Sequence, residues 1–236
     1  MNTITETMRL AGIALNDGAG ERLEVYHALL CEWNQKIDLT NVPEEEMPLR
    51  HYADSLLPLA RFPALFPFGA SLIDVGTGAG LPGIPLAIQR PDMFVTLLDS
   101  QQKRCDFLSE AVRRTELKNV RVLHLRAEDG GKNPGLREVF DIAVARAVAP
   151  LNVLLEYLLP FVRVGGRALA LKGPGVYEEK ARALLSSRAL GGGEIHIDDL
   201  PLGEWTHTLA SVPKNQKTPP QYPRKSGLPA KKPIGE

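Results

Sequence analysis

The feature that most constrains this chain is the run Leu72-Ile73-Asp74-Val75-Gly76-Thr77-Gly78-Ala79-Gly80-Leu81-Pro82-Gly83. A short apolar stretch passes into closely spaced glycines and then into a second apolar stretch, the pattern of a strand, a tight turn and a helix. Glycine is needed where a backbone turns sharply and comes close to a ligand without a Cβ in the way. In an open parallel sheet that turn lies at the carboxyl end of the strand, where ligands bind. The chain beyond it keeps the same rhythm. Strands are predicted at 72–75, 94–98, 120–125, 141–145 and 167–171, with helices at 83–90, 101–115, 151–162 and 176–190. Two further runs, 194–200 and 206–212, can close the sheet as a hairpin through 201–205. This alternation predicts an α/β fold, a doubly wound and mostly parallel sheet covered on both faces.

Ahead of the sheet the periodicity is helical. Leu23, Tyr26, Leu30, Trp33 and Ile37 recur at spacings of three and four, and a second stretch over 48–60 opens on Pro48 and carries Tyr52, Leu56 and Leu59. The organisation expected is therefore a helical N-terminal extension over 1–66, a ligand-binding domain over 67–213, and a tail over 214–236. Five prolines in that tail leave little room for regular structure.

Composition enters as a set of exclusions. The 236 residues, 44% of them hydrophobic, suffice for one domain of this kind plus its extensions. No run approaches the ~20 apolar residues of a membrane span, and residues 1–15 do not read as a secretory signal. Cys31 and Cys105 lie far apart and make no metal cluster alone, so a reduced, cytoplasmic, monomeric protein without metal is expected. Lys+Arg and Asp+Glu balance at 28 each, but not locally. The tail carries Lys214, Lys217, Arg224, Lys225, Lys231 and Lys232 against Glu236 alone, on a body with the opposite excess. Such an end fits a polyanionic partner.

Two ligands suit the glycine loop. Gly78-Ala79-Gly80-Leu81-Pro82-Gly83 satisfies G-x-G-x-x-G, and Asp99 follows about twenty residues on, as in NAD sites. The whole run is better described as Asp-x-Gly-x-Gly-x-Gly from Asp74, and in that form it resembles motif I of class I S-adenosylmethionine (AdoMet) methyltransferases, a Rossmann-like fold. AdoMet has no pyrophosphate to cradle but carries a sulfonium and an ammonium, beside which a carboxylate is favourable. Gly76 and Gly78 would lie against the cofactor. Asp99, at the end of the second strand, can accept bonds from ribose hydroxyls under either reading. Ala127-Glu128, after the third strand, is placed to meet the adenine edge with a backbone N–H and a carboxylate.

The residues after the fourth strand bear on the acceptor. Ala145-Arg146-Ala147-Val148-Ala149-Pro150 contains no Asp/Asn-Pro-Pro-Tyr/Phe clamp for an exocyclic amine, and neither cysteine has an obvious base beside it. An acceptor that is already nucleophilic fits such a site. Guanine N7 has an exposed lone pair and no proton to remove, so positioning and exclusion of water would carry the reaction without a general base. Arg146 is the positioning residue expected there, toward the cofactor, the guanine O6/N7 edge or a phosphate.

Further blocks carry a more specific resemblance. They are Trp33-Asn34-Gln35-Lys36-Ile37-Asp38-Leu39-Thr40; His51 with Asp54-Ser55-Leu56; the loop from Asp74 to Pro85; Leu98-Asp99-Ser100 with Lys103-Arg104; Ala145-Arg146-Ala147; Lys172-Gly173; and Tyr222-Pro223-Arg224 with Gly227, Pro229, Lys231 and Pro233. In this order they resemble the RsmG (GidB) family of bacterial small-subunit rRNA guanine-N7 methyltransferases, from about residue 20 to the end. The resemblance implies AdoMet as cofactor, the small ribosomal subunit as partner, and N7 of guanine 527 of 16S rRNA as acceptor. It implies that Gly76, Leu81, Ala127, Glu128 and Arg146 contact AdoMet. Asp38 stands where many relatives have Asn, and Thr77 where Ser is frequent. Trp33 and His51 are expected in packing. Lys103, Arg104 and Lys172 follow strand ends on the ligand side and, with Lys214, Arg224 and Lys225 of the tail, are the expected phosphate contacts. Two rival functions remain at this level, an NAD-dependent oxidoreductase and a non-catalytic RNA-binding assembly factor.

Overall fold

The computed structural model describes residues 3–146 and 149–235. Five parallel strands form the sheet's centre and one edge: β1 (Ser71–Val75), β2 (Phe94–Asp99), β3 (Val120–His124), β4 (Phe140–Arg146) and β5 (Val162–Lys172). β6 (His196–Leu202) and β7 (Trp205–Pro213) form the expected hairpin, and β7 pairs antiparallel with β5, giving the order β3-β2-β1-β4-β5-β7-β6. The direction reverses between β1 and β4, so the carboxyl ends of these two strands flank the switch-point crevice. Because β7 runs backwards, it starts at that same edge, where Thr208 pairs with Lys172.

Helices cover both faces, which is why β1 reads as a continuous apolar run and not as an alternation. On one face, Ile4 and Met8 of α1 (Ile4–Leu10) and Leu23, Tyr26 and Leu30 of α2 (Ala19–Asn34) share a core with Leu72, Val95, Leu97 and Phe107. The N-terminal extension is thus a layer of the domain. It continues through a π-helical turn, Pro48–Ala53, into α3 (Asp54–Arg61). The same layer holds α4 (Gly83–Gln89) and α5 (Gln102–Arg114), which returns to the sheet after β2. α6 (Ala127–Gly130) is a single turn after β3. On the opposite face, α7 (Leu151–Leu158) and α8 (Val176–Ala189) close a second core with Ile73, Val75, Leu154, Leu158, Phe161 and Ala183. No helix among the described residues is long and apolar enough to cross a membrane.

The tail departs from expectation. Little of it is regular beyond α9 (Leu228–Lys231), yet it is held against the domain. Prolines remove backbone donors and leave carbonyls to be satisfied. Arg137 supplies those donors, bonding the carbonyls of Gly131 and Tyr222 at 2.8 Å each, Thr218 at 2.7 Å and Pro219 at 3.3 Å. Lys214, expected on RNA, is instead 1% exposed. Its Nζ donates to the Leu159 carbonyl at 2.7 Å and to Thr218 Oγ1, with Glu138 Oε1 at 3.3 Å. Burial pushes its pKa down to about 8 against the pull of Glu138. Arg224, also expected on RNA, forks onto the fully buried Glu156, with Nη2–Oε2 at 2.6 Å and Nε–Oε1 at 2.9 Å. Sequence reasoning counted these cations as free because their acidic partners lie far off in the chain, Glu138 for Lys214 and Glu156 for Arg224.

Replacing Arg137 with Ala strips donors from four carbonyls and lowers unfolding stability by about 2 kcal/mol. In limited trypsin digestion the variant is cut after Lys225 faster than the parent, while far-UV circular dichroism stays unchanged.

Candidate cofactor and acceptor site

The glycine loop is shaped from beneath by Asp74. This carboxylate is wholly buried at the end of β1, and its Oδ2 accepts from Thr77 Oγ1 at 2.6 Å and from Gly83 N–H at 2.8 Å. It joins the loop to the opening of α4. Burial raises its pKa to about 6 in spite of those two bonds, and its Oδ1 is left without a partner. Gly76 N–H and Thr77 N–H bond the Leu98 carbonyl at 2.8 and 3.2 Å, so the loop bends over β2.

The glycines differ in what they do. Gly76, Gly78 and Gly80 all take positive φ, which favours glycine. A Cβ on Gly83 would stand 2.3 Å from Leu97 Cδ2 and 2.8 Å from Asp74 Oδ2, so this residue sets the helix–strand distance. A Cβ on Gly78 would meet nothing within 4 Å. That side of the loop is open, over the carboxyl ends of β1 and β2. Leu81, in contrast, is buried in the core of the N-terminal layer.

Asp99 closes the next corner. It is 3% exposed, with Oδ2 accepting from Gly78 N–H and Oδ1 from Gln101 N–H, both at 2.9 Å. Each oxygen keeps a further lone pair for a hydroxyl. Arg104 Nη1 stands 3.8 Å from Oδ2. Beyond β3, Ala127 opens α6, and buried Glu128 accepts through Oε1 from Gly227 N–H at 2.7 Å. One carboxylate oxygen of the expected adenine contact therefore serves the tail.

Arg146 ends β4 and reaches across to the N-terminal layer. Its Nη1 donates to Asp54 Oδ2 at 3.0 Å and to the Arg50 carbonyl at 3.1 Å, and Nη2 lies 3.4 Å from His51 Nδ1. Asp54 is 2% exposed and has His207 Nδ1 of β7 only 2.7 Å from its Oδ1. Burial would raise the Asp54 pKa, but His207 and Arg146 outweigh it and hold it below the usual carboxylate range. His51, expected in packing alone, is part of this cluster. Burial and then the Arg146 charge lower its pKa to about 4, so it is neutral. With Nδ1 facing a guanidinium, Nε2 carries the proton and donates to Thr40 Oγ1 at 2.8 Å. Asn34 fixes that threonine, its Oδ1 accepting from Thr40 N–H at 2.9 Å.

Other expected residues fall apart from this cluster. Trp33 packs on Phe107, ring centres 5.7 Å apart. Lys172, expected on phosphate, is instead tied to the Ala149 carbonyl at 2.9 Å and Glu179 at 2.7 Å, an ion pair that holds the start of α7 to α8. Lys103 is exposed on the first turn of α5 and Lys225 is exposed on the tail. Ala147 and Val148 lie outside the described residues. Missed in sequence were Asp54 as a partner of Arg146, and His207, Arg50 and Trp205. Trp205 is 46% exposed at the start of β7, with the Arg50 guanidinium 4.7 Å from its ring centre. The one available signal was an aromatic placed between the two hairpin runs.

Two outcomes test this geometry. Gly78→Ala keeps the fold, with a penalty of about 1 kcal/mol for its positive φ, whereas Gly83→Ala costs upwards of about 2 kcal/mol because the buried Leu97 and Asp74 side chains must give way. Differential scanning calorimetry separates them. The His51 pKa is lower in the folded chain than in the unfolded one, so below about pH 6.5 the unfolded state binds the extra proton and stability falls. Between pH 6.5 and 4 the parent loses up to about 3 kcal/mol that His51→Gln does not lose, read as the difference of their urea midpoints.

The chain has recognisable relatives. A family model described as rRNA small subunit methyltransferase G, GidB, matches residues 19–193. The ribosomal RNA small subunit methyltransferase G of Clostridium beijerinckii is 46% identical over 229 residues, covering 94% of each chain. That of Lactobacillus delbrueckii is 41% identical over 232 residues, covering 97% of each. Among solved structures, the tRNA methyltransferase TrmI of Aquifex aeolicus superposes with a TM-score of 0.58 at 12% identity, covering 81% of this chain and 76% of that one. A SAM-dependent methyltransferase of the same organism gives 0.50 at 21% identity, covering 67% and 92%. At such identities these two speak for the fold alone, and the fold is that of class I AdoMet methyltransferases. An oxidoreductase reading of the glycine loop falls with it. The match over most of the chain, joined to the strand order and the glycine loop, makes this protein a member of the rRNA small subunit methyltransferase G family.

Proposed function

We propose that this chain methylates N7 of guanine 527 in 16S rRNA of the small ribosomal subunit, with AdoMet as the donor, acting in the cytoplasm as a single copy. The observation that carries the reading is the Arg146 cluster. Its guanidinium is pinned by Asp54 and the Arg50 carbonyl, and both ring nitrogens of neutral His51 are engaged. Among the described residues, neither His51 nitrogen is free to withdraw a proton, and N7 has none to give. Loop, cluster and hairpin all come from one chain, so no second copy is needed.

The residues fit AdoMet. The open side of the loop at Gly78, and the unpaired buried Asp74 Oδ1 beneath it, suit a ligand with cationic and amine donors. Gly76, Gly78 and Leu81 would hold it along the loop, Asp99 at the ribose, Ala127 and Glu128 at the adenine, and Arg146 on the acceptor side. Bound AdoMet supplies an electrophilic methyl on a cationic sulfur. The chain's own part is to bring the base into line with that methyl and to keep water out. Trp205, with the Arg50 guanidinium over its ring at the carboxyl edge, offers its exposed surface to a splayed base. Phosphate contact then rests on the exposed Lys103, Lys217, Lys225, Lys231 and Lys232, since Lys172, Lys214 and Arg224 are taken up internally.

The direct test is methyl transfer from labelled AdoMet to small subunits lacking the modification, followed by nuclease digestion and nucleoside mass spectrometry. 7-Methylguanosine is the expected product, and label in another nucleoside overturns the N7 assignment. Trp205→Ala raises KM for the subunit ~10-fold, as loss of one stacked base would. Replacing Lys225, Lys231 and Lys232 together by Gln reduces the slope of log affinity against log salt by about 2, at roughly 0.7 per contact.

A further inference from the structure

One group of side chains is used by nothing described above. His27 and Cys31 stand four residues apart on α2 and so share a face of the helix. Glu44 comes to them from the 3-10 turn Glu44–Glu46. His27 Nε2 lies 3.8 Å from Cys31 Sγ and 3.9 Å from Glu44 Oε1, and one ligand atom from each residue lies within 4.8 Å of the others. In a tetrahedral zinc site, with Zn–S about 2.3 Å and Zn–N or Zn–O about 2.0–2.1 Å, such atoms stand ~3.3–3.6 Å apart. The two measured separations exceed this by a few tenths of an ångström. The remaining approach falls to Glu44, whose side chain is 61% exposed and able to swing.

The ring of His27 is already aimed. Its Nδ1 lies 2.9 Å from the Tyr52 hydroxyl. When Nδ1–H donates to that oxygen, the Nε2 lone pair is left facing Cys31 and Glu44, the arrangement that outer hydrogen bonds impose on metal-bound histidines. A cavity of about 730 Å³ opens on His27 and Glu44 and is bordered by Glu24 and Glu45, so a cation has a path in and carboxylates beside it. Together a thiolate, a carboxylate and a neutral imidazole carry two negative charges, which balances a divalent ion. The thiol proton leaves to solvent on coordination. Sulfur and nitrogen ligands favour a zinc-type ion over magnesium or calcium.

We propose that His27, Cys31 and Glu44 form a binding site for a zinc-type divalent transition-metal ion, with solvent as the fourth ligand. The sequence argued against metal because it offers only two cysteines, distant from each other. The site needs one of them, with a histidine one helical turn before it and a carboxylate brought in by a turn. Coordination ties the turn Glu44–Glu46 to α2, next to Tyr52.

The test uses the full chain stripped of metal and titrated with Co²⁺ under reducing conditions. One equivalent is expected to produce a thiolate-to-cobalt charge-transfer band and intense tetrahedral visible bands, both abolished by stoichiometric Zn²⁺. Cys31→Ser removes the charge-transfer band, Cys105→Ala keeps it, and Glu44→Gln, on an exposed turn, weakens Zn²⁺ binding at least ~10-fold at an unchanged metal-free melting temperature. Absence of a charge-transfer band at one equivalent, or its persistence in Cys31→Ser, overturns the proposal.

Discussion

The arrangement depends above all on where the charge of Arg146 goes. A guanidinium with 17% of its side-chain surface exposed cannot sit at a strand end without partners. The partners are a 2%-exposed carboxylate, Asp54, and a backbone carbonyl from the turn just before it. Neither charge is tolerable without the other, since removing one partner from such a pair leaves an uncompensated buried ion. The pair therefore holds the first turn of α3 over the carboxyl end of β4. It also explains why the turn before it is π-helical. A widened turn puts the Arg50 carbonyl, His51 Nδ1 and Asp54 on the side of one guanidinium, a device common where backbone must serve a site.

A second accounting of charge governs the tail. Six cations in a proline-rich segment look like an RNA grip, but two of them neutralise Glu138 and Glu156, which burial would otherwise make costly. The tail cations left at the surface are Lys217, Lys225, Lys231 and Lys232. The tail's more specific contribution is backbone. Gly227 N–H ends on Glu128, at the corner of the crevice where the cofactor's adenine is expected, so the chain's last segment closes one wall of that crevice.

Legibility in the sequence followed the range of the interactions. The five parallel strands, the helices between them and the glycine turn were readable because hydrophobic period and glycine spacing are local properties. Arg146 was readable as a residue at the sheet's carboxyl edge because its place at the end of β4 is set by topology. His51 was read as packing because Arg146, whose charge it faces, lies 95 positions away. Lys214 was misread for the same reason. A lysine beside prolines looks solvated, and only the Leu159 carbonyl and Glu138 make its burial tolerable. Thr40 and Asn34 were noticed as part of a block but had no assigned work until the structure joined them to His51.

Those long-range contacts divide the labour within the molecule. The central strands and their glycine turn are built for an AdoMet-type ligand and resemble methyltransferases that share little sequence. What distinguishes this chain lies at its two ends. From one end, Asn34 orders Thr40, Thr40 holds His51, and His51 with Asp54 positions Arg146, while Arg50 backs Trp205 on the hairpin. From the other, Arg137 gathers the tail so that it can reach Glu128. A substitution at Asn34 thus reaches Arg146 through three hydrogen bonds. The N-terminal helices share one core with the sheet, and so such a change is transmitted through packed side chains and not lost in a hinge. The way Arg146 is held is consequently a property of how the N-terminal layer is sewn to the sheet, and the sheet itself can stay the same.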